Sequence, residues 1–393
     1  MDYIIPKPFD PRVLVWEAAA VAKAAMETGV AQFPVNLADY REQLEKRLGK
    51  ANELMRMMIH KARTNPKRVV FPEGNHQKIL RACHVLIEEK IARPILLGRP
   101  NEIQRKIAES GLNLNGITII DPETAPRRQE YVNEYYRLRQ RRGVTLGAAD
   151  ELMNKRNIFG SMMVRMGDAD AIVSGVTQNY PDTIRPALQV IGVREGIHKV
   201  SGVYLVITRK GDLYFLADAT VNVDPTAEDL AEIALCAAAE ARRFDIEPRV
   251  AMLSFSSFGS TKHPLCDKVR KAVELARYAD PSLIIDGEVQ AGVAVNAKKL
   301  EAAFPFSSLK GGANVLIFPD LQSCNIACKL LGPLGGAETL GPILAGMAKP
   351  VHLLQRGAEV EEIVNITTIA VVDAQDSSTS AGARVAAAVA SVG

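Results

Sequence analysis

From about Ala51 onward, short β-rich runs alternate with longer amphipathic stretches, and that alternation leaves few architectures open. The strand candidates are RVVF at 68–71, RPILLG at 93–98, GITII at 116–120, DAIVSG at 170–175, VYLVIT at 203–208, LYFLAD at 213–218, RVAMLSFS at 249–256, LIIDGE at 283–288, ANVLIFPD at 313–320 and PVHLL at 350–354. Between most of them lie helical stretches such as HQKILRACHVLIEEK and TAEDLAEIALCAAAEARRFD. Strands separated by helices pair in parallel and are covered on both faces, so the expected fold class is α/β with mostly parallel sheets. VYLVITRKGDLYFLAD departs from the rule. Lys210-Gly211 joins two strand runs closely enough for a hairpin, which places an antiparallel element in a second sheet or at an edge.

Composition narrows the partners. With 47% hydrophobic and 24% charged residues over 393 positions, the chain has a globular composition and enough length for two or three structural units. A formal charge of +3 spread without a long basic block, and few aromatics, argue against nucleic acid as a partner. Five cysteines without framework spacing fit a reducing cytoplasm. Cys324 and Cys328 share one helical face but have no second Cys or His pair, so they read as buried small hydrophobes rather than a metal site. No apolar run reaches membrane-spanning length and no signal peptide is visible, so the expected location is cytoplasmic, with no membrane contact.

The first 50 residues read differently. Pro6, Pro8 and Pro11 stiffen the lead, and an Ala-rich helix follows that Gly29 can end. A second helix over about LADYREQLEKRLG, after a Val-Asn turn, mixes charges at i,i+4 spacing, as in an exposed linker or packing helix. The end of the chain, residues 376–393, is rich in small residues and is expected to be poorly ordered in its polar first part.

In open α/β sheets ligands gather at the C-terminal ends of the strands. RVVF exits into PEGN, IVSG into VTQNYPDTIRP, MLSFS into SFGSTKHP, IIDGE into VQAG, IFPD into LQSCN, and HLL into QRG. Ser254, Ser256, Ser257, Gly259, Ser260 and Thr261 offer hydroxyls and close backbone approach before a helix, as a phosphate cradle does; an ordinary capped Ser turn is the plain alternative. Asp286 and Glu288 fit loop organisation better than metal binding. Arg356, between a strand and an acidic helix, is either an anion ligand or a solvated surface charge. Neither G-x-G-x-x-G after a strand nor G-x-x-x-x-G-K-[ST] occurs, so neither a dinucleotide fold nor an NTPase gains support.

FPEGN (71–75), YYRLRQRRG (135–143), DADAIVSG with DTIRPALQVIG (168–192), DATVNVDPTAEDLAEIA (218–234), RVAMLSFSSFGS (249–260), DGEVQAGVAVN (286–296), ANVLIFPD (313–320), GPILAGMAKPV (341–351) and QRG with EEIV resemble phosphate acetyltransferase, in collinear order from about 51 to 375. The lead DYIIPKPFDPR and AVAKAA further resemble the end of the catalytic part of bacterial NADP-dependent malic enzymes that carry a phosphotransacetylase-like C-terminal region. The resemblance implies two α/β lobes around an interdomain cleft, an isocitrate/isopropylmalate dehydrogenase-like architecture. Lobe 1 would comprise 51–195 and 345–375, lobe 2 would comprise 196–344, and 1–50 would be the catalytic-part end plus connector.

The resemblance also assigns residues. Active family members carry a Ser-Arg pair where Gln355-Arg356 stands and an Asp, acting on the CoA thiol, where Glu362 stands. Arg139 and Arg185 match two further arginines facing the acyl phosphate. The plain alternatives are a helix-face charge for Arg139 and an ion pair with Asp182 for Arg185. Transferases carry His at Gln178 and Lys at Phe258. With Ser absent at Gln355 and a carboxylate displaced by a methylene at Glu362, the set for acetyl transfer is incomplete. The expectation is therefore an acetyl-CoA-binding regulatory region, with Arg139, Arg185, Ser256, Ser260 and Arg356 as effector or phosphate ligands and no complete catalytic set at Gln355, Arg356 and Glu362. It is expected to form a homodimer or higher oligomer through 196–344 and to hold no cofactor of its own. NADP and a divalent metal would belong to the catalytic part of the whole enzyme, which converts malate to pyruvate, CO2 and NADPH. The alternatives are an active phosphate acetyltransferase and an assembly scaffold without ligand.

Overall fold

The computed structural model describes residues 11–376; the proline-containing lead up to Asp10 and the tail beyond Asp376 lie outside the described residues. Two sheets organise the chain. The first, in order β11-β4-β1-β2-β3, contains β1 (Lys67–Phe71), β2 (Ala92–Leu97), β3 (Thr118–Ile120), β4 (Ala171–Ser174) and β11 (Val351–Leu353), all parallel. The second, in order β10-β5-β6-β9-β7-β8, contains β5 (Ser201–Ile207), β6 (Leu213–Ala217), β7 (Arg249–Leu253), β8 (Ile284–Val289), β9 (Val315–Ile317) and β10 (Glu338–Ala345). The expected hairpin is present: β5 and β6 pair antiparallel around Lys210-Gly211, and Gly211 has φ +82°. The fold is α/β with mostly parallel sheets, as the alternation of strands and helices requires.

The period of two along each strand sets which core each side chain joins. Val69 and Phe71 point into one cluster and Val70 into another; Val203 and Leu205 join the first, while Tyr204 and Val206 join a third. The first cluster is continuous across both sheets, and helix Val360–Asp376 and helix Ala227–Arg243 carry it from one to the other. A capping box starts the latter: the Asp229 N–H donates to Thr226 Oγ1 at 3.2 Å, and the Thr226 N–H to the Asp229 carboxylate at 3.1 Å. Both Cys324 and Cys328, on helix Leu321–Gly335, are buried in the third cluster.

Charges stitch the two helices at their ends. Arg243 Nη2 donates to Asp373 Oδ1 at 2.8 Å and its Nε to Asp376 Oδ2 at 3.1 Å, and it also pairs with Glu240. His352, on β11, lies 3.2 Å from the other Asp373 oxygen. All of this is buried apart from Asp376.

Two local expectations are corrected. The second helix does not stop near Gly49: it is capped by Asn36, whose side chain accepts from the Ala38 N–H at 2.9 Å, and runs from Leu37 to Thr64 without a break. An unforeseen strand, β10, pairs antiparallel with β5 at the sheet edge, with its register shifted between Leu340 and Ile343. Gly341-Pro342 lies in that irregularity, and proline is tolerated at an edge because no neighbour needs its missing N–H.

Candidate functional site

The exits of β1, β4 and β11 meet at the middle and one edge of the first sheet. Glu73, buried beyond β1, accepts the Gly175 N–H at 2.9 Å and both the N–H and the hydroxyl of Thr177 at 2.8 Å. This one carboxylate thereby sets the turn after β4. Gly175 has φ +130°, and a Cβ there would lie 2.4 Å from the Leu354 carbonyl, so only glycine lets the two exits touch. Asn157 connects the same turn outward: its Nδ2 donates to Gln178 Oε1 at 2.6 Å, and its Oδ1 accepts from Ser174 Oγ at 2.9 Å.

The second sheet answers with a matching device. Asp218, buried at the exit of β6, accepts N–H groups from Gly202, Thr220, Val221 and Asn222 at 2.7–3.3 Å. Thr220, thus fixed, meets Tyr180 of helix Tyr180–Val190 through its hydroxyl at 3.1 Å. Burial pushes the Tyr180 and Tyr204 phenols up from their usual value, so both stay protonated donors at neutral pH.

Gln355 crosses between the sheets. From the exit of β11 its Nε2 donates to Tyr204 Oη at 3.2 Å and the Gly341 carbonyl at 3.4 Å, and its Oε1 accepts from Lys329 Nζ at 3.3 Å. All three partners belong to the strands and helices of the second sheet. Gln355 and Glu362 line one small cavity together with Gly341, Ala358 and Ile366. Glu362 is occupied locally: its carboxylate accepts the Glu359 N–H at 2.8 Å, capping helix Val360–Asp376 from its third residue. Arg356 is exposed and makes no hydrogen bond or ion pair with any described residue.

The other expected residues differ in exposure. Arg185 is exposed and forms no ion pair with Asp182 or any other described residue. Arg139, at the end of helix Arg128–Arg139, is half-buried, and its Nε is enclosed without a partner.

Within the Ser-rich turn Ser256 is internally satisfied, while Ser260 and Thr261 are exposed. Ser256 is buried; its hydroxyl donates to Glu288 Oε1 at 2.9 Å, lies 3.0 Å from the Ser260 hydroxyl and accepts the Thr261 N–H. Ser260 Oγ in turn accepts the Ser257 N–H at 3.1 Å. Glu288, fully enclosed on β8, also takes the Gly259 N–H at 2.8 Å and the Arg270 guanidinium at 3.2 Å. Ser256 is thus spent on Glu288, Ser260 and the Thr261 N–H and has no exposed surface of its own. Asp286 likewise holds Ser307 and Ser308, in keeping with loop organisation. Phe258 has φ +47°, unusual for a bulky residue, and packs against Phe304 and Phe306 with ring centroids 4.8 and 5.2 Å away.

The acids that set these turns, Glu73 and Asp218, were not singled out from the sequence, although Asp218 directly follows β6 and Glu73 stands two residues beyond β1. Their signal was an acid in an otherwise apolar exit, FPEGN and FLADAT. Among the described residues no three His, Cys, Asp or Glu side chains gather as a metal site, and no helix is long and apolar enough to cross a membrane.

A family profile described as "Phosphate acetyl/butaryl transferase" matches residues 53–371. The chain belongs to this family. A phosphate acetyltransferase of Bacillus subtilis (strain 168) is 42% identical over 302 residues, covering 77% of this chain and 93% of that protein. An NADP-dependent malic enzyme of Escherichia coli (strain K12) is 43% identical over 381 residues, 95% of this chain but 50% of the enzyme. This chain therefore spans about half the length of the malic enzymes it matches, and it is homologous to their C-terminal region. Among solved structures, a phosphotransacetylase from Streptococcus pyogenes superposes with a TM-score of 0.80 at 39% identity, covering 83% of this chain and 99% of that one.

Proposed function

We propose that this phosphate acetyltransferase-family chain acts as the regulatory, acetyl-CoA-binding and oligomerising region of an NADP-dependent malic enzyme and does not itself transfer acetyl groups. The observation that carries the reading is Gln355. At the position where active members resemble one another in carrying Ser beside Arg, this chain has a longer side chain tied to Tyr204, Gly341 and Lys329. Its amide has no nucleophilic or acid–base role to offer, and Glu362 is engaged as a helix cap. Phe258, standing where a Lys is expected, is packed into an aromatic trio.

Anion binding is better supported than catalysis. Arg356 and Arg185 are exposed without carboxylate partners, so their guanidiniums remain available for a phosphate or carboxylate. NADP and the divalent metal of malate oxidation are assigned to the other half of such an enzyme. Self-association is supported by helix Leu321–Gly335, which presents Ile326, Leu330 and Leu334 to solvent at four-residue spacing, Leu334 at 77% exposure.

Calorimetric titration with acetyl-CoA tests the binding, and an acetyl phosphate plus CoA assay tests the chemistry. Saturable binding without turnover is expected. Robust turnover favours the second reading, an active phosphate acetyltransferase, which the 42% identity to the Bacillus subtilis enzyme supports. Absence of any heat overturns the effector role and leaves a scaffold.

A further inference from the structure

A second cavity opens at the exits of β2 and β3, walled by Gly98, Arg99, Glu102, Asp121, Glu123 and Arg156, with a volume of about 260 Å3. It is separate from the cleft around Gln355. In the sheet order β11-β4-β1-β2-β3, it lies three to four strand spacings from the β11 exit, roughly 15–20 Å at ~4.8 Å per strand. Its size falls just below the ~300 Å3 at which drug-sized sites begin, so it suits a small metabolite.

Two opposite charges face this space, each incompletely satisfied. Arg156 is half-buried; its Nη1 donates to Asn75 Oδ1 at 3.1 Å, and it pairs with no carboxylate among the described residues. Gly98, with φ +147°, is what seats it: a Cβ there would lie 3.2 Å from the guanidinium carbon. Asp121 is also half-buried; one carboxylate oxygen accepts the Glu123 N–H at 3.1 Å and the other has no partner among the described residues. The remaining charges have charged or polar partners, Glu102 through one carboxylate oxygen only. Glu102 accepts from Asn75 at 2.7 Å and lies 3.5 Å from Lys106, while Arg99 and Glu123 face each other at 3.8 Å in an exposed pair. Beside Arg156 the helix Pro100–Glu109 begins without a side-chain cap, and the N–H groups of Asn101 and Glu102 have no acceptor among the described residues.

Arg156 and Asp121 line one cavity yet form no ion pair across it. We propose that this cavity is a binding site for a small zwitterion of the α-amino acid class, its carboxylate on Arg156 and the open N–H groups of Asn101 and Glu102, and its ammonium on Asp121. A planar guanidinium fork binds a carboxylate through two parallel bonds, and the positive end of the helix adds to it. An anion alone would leave Asp121 beside it unneutralised.

The site is wired to the cleft through two short segments. Asn75, which holds Arg156, lies two residues from Glu73, which sets the turn at Thr177. Arg156 itself is followed by Asn157, which holds Gln178. This inference is independent of the acetyl-CoA reading.

The test is calorimetry on the full chain with the free L-α-amino acids as probes, and with acetate, methylammonium and inorganic phosphate as single-charge controls. At least one amino acid should bind more tightly than all three controls. Arg156→Gln and Asp121→Asn should each weaken it by about tenfold or more, the loss of a charged hydrogen bond. Binding by phosphate or acetate alone overturns the proposal, as does amino acid binding unchanged in Asp121→Asn. Should a variant not fold, amide NMR of the native chain decides: the Gly98, Asn101 and Glu102 resonances should shift with the amino acid probe, and their constancy at saturation overturns the site.

Discussion

Glu288 shows how much a single buried carboxylate can organise. Its oxygens gather Ser256, Gly259 and Arg270, and they take the buried Ser256 hydroxyl out of reach of a ligand. Glu288→Ala removes the acceptor of the Ser256 and Gly259 donors, while Arg270 stays part-exposed and paired with Asp267, so it should cost roughly 1–3 kcal/mol, as when a buried polar group is left unsatisfied. Urea denaturation measures this; a loss under 1 kcal/mol, about the worth of one ordinary hydrogen bond, would mean that water replaces the carboxylate. His76, N-terminal to helix Gln77–Glu88, titrates in a different range. Burial lowers its imidazole below the usual 6.5, nearby Lys78 and Lys106 lower it further, and Glu73 partly opposes them. The unfolded chain then takes up a proton before the folded one does, so this contribution is complete above the unfolded value and is lost as pH falls toward the folded one. Stability measured at pH 7.5 and pH 5.5, values chosen to lie about one unit either side of an ordinary His, should fall with acid in the native chain and fall less in His76→Gln.

At the scale of elements, the cap on helix Val360–Asp376 offers a direct check. Glu362→Ala deletes the acceptor of the Glu359 N–H and should cost about 1 kcal/mol, the usual worth of a helix cap, whereas Glu362→Gln should retain most of it. A larger effect in a thermal melt would show that Glu362 does more than cap. All ten strands read from alternation are present, because apolar runs between helical stretches are a strong local signal. The eleventh, β10, was hidden by Gly341-Pro342, whose local preference contradicts a strand and is overruled by pairing with β5. Gly49 resembles a helix stop, yet a single glycine costs a helix only ~1 kcal/mol, and the helix runs on to Thr64. The site was less legible than the fold. QRG at 355–357 drew notice, but that Gln355 spans to Tyr204 depends on residues 151 positions apart, and no local pattern carries that. The Ser turn is ambiguous in sequence because hydroxyls before a helix look the same whether a phosphate or a distant Glu288 satisfies them.

Across the whole molecule the two sheets are held by Gln355 on one side and by the Arg243 cluster on the other. Burial pushes the Asp373 carboxyl up, but Arg243 and His352 more than reverse this and leave it lowered to about 2 from an ordinary 3.8. Its contribution is therefore present above pH 3.8 and is lost as the pH falls through about 2. Burial raises Glu240, whose contribution runs the other way and fades as the pH climbs above 4.5. Asp373→Asn should destabilise by roughly 3–5 kcal/mol at neutral pH and flatten the acid limb of the unfolding curve; an unchanged acid limb would locate the titration elsewhere. Gln355→Ser should loosen the crossing between the sheets, visible as faster amide exchange at Gly341, without creating a transferase, since catalytic groups acting as a unit do not return one at a time. The strand order carries a further consequence for how the chain is made. β4 finds its outer neighbour, β11, only after every strand of the second sheet has been laid down between them. On a ribosome releasing ~5–20 residues per second, β4 waits with an apolar edge open for roughly 10–35 s, and closing so long a loop is intrinsically slow. Nascent chains arrested just after Ala345 should therefore bind chaperones more strongly than chains released after Asp376.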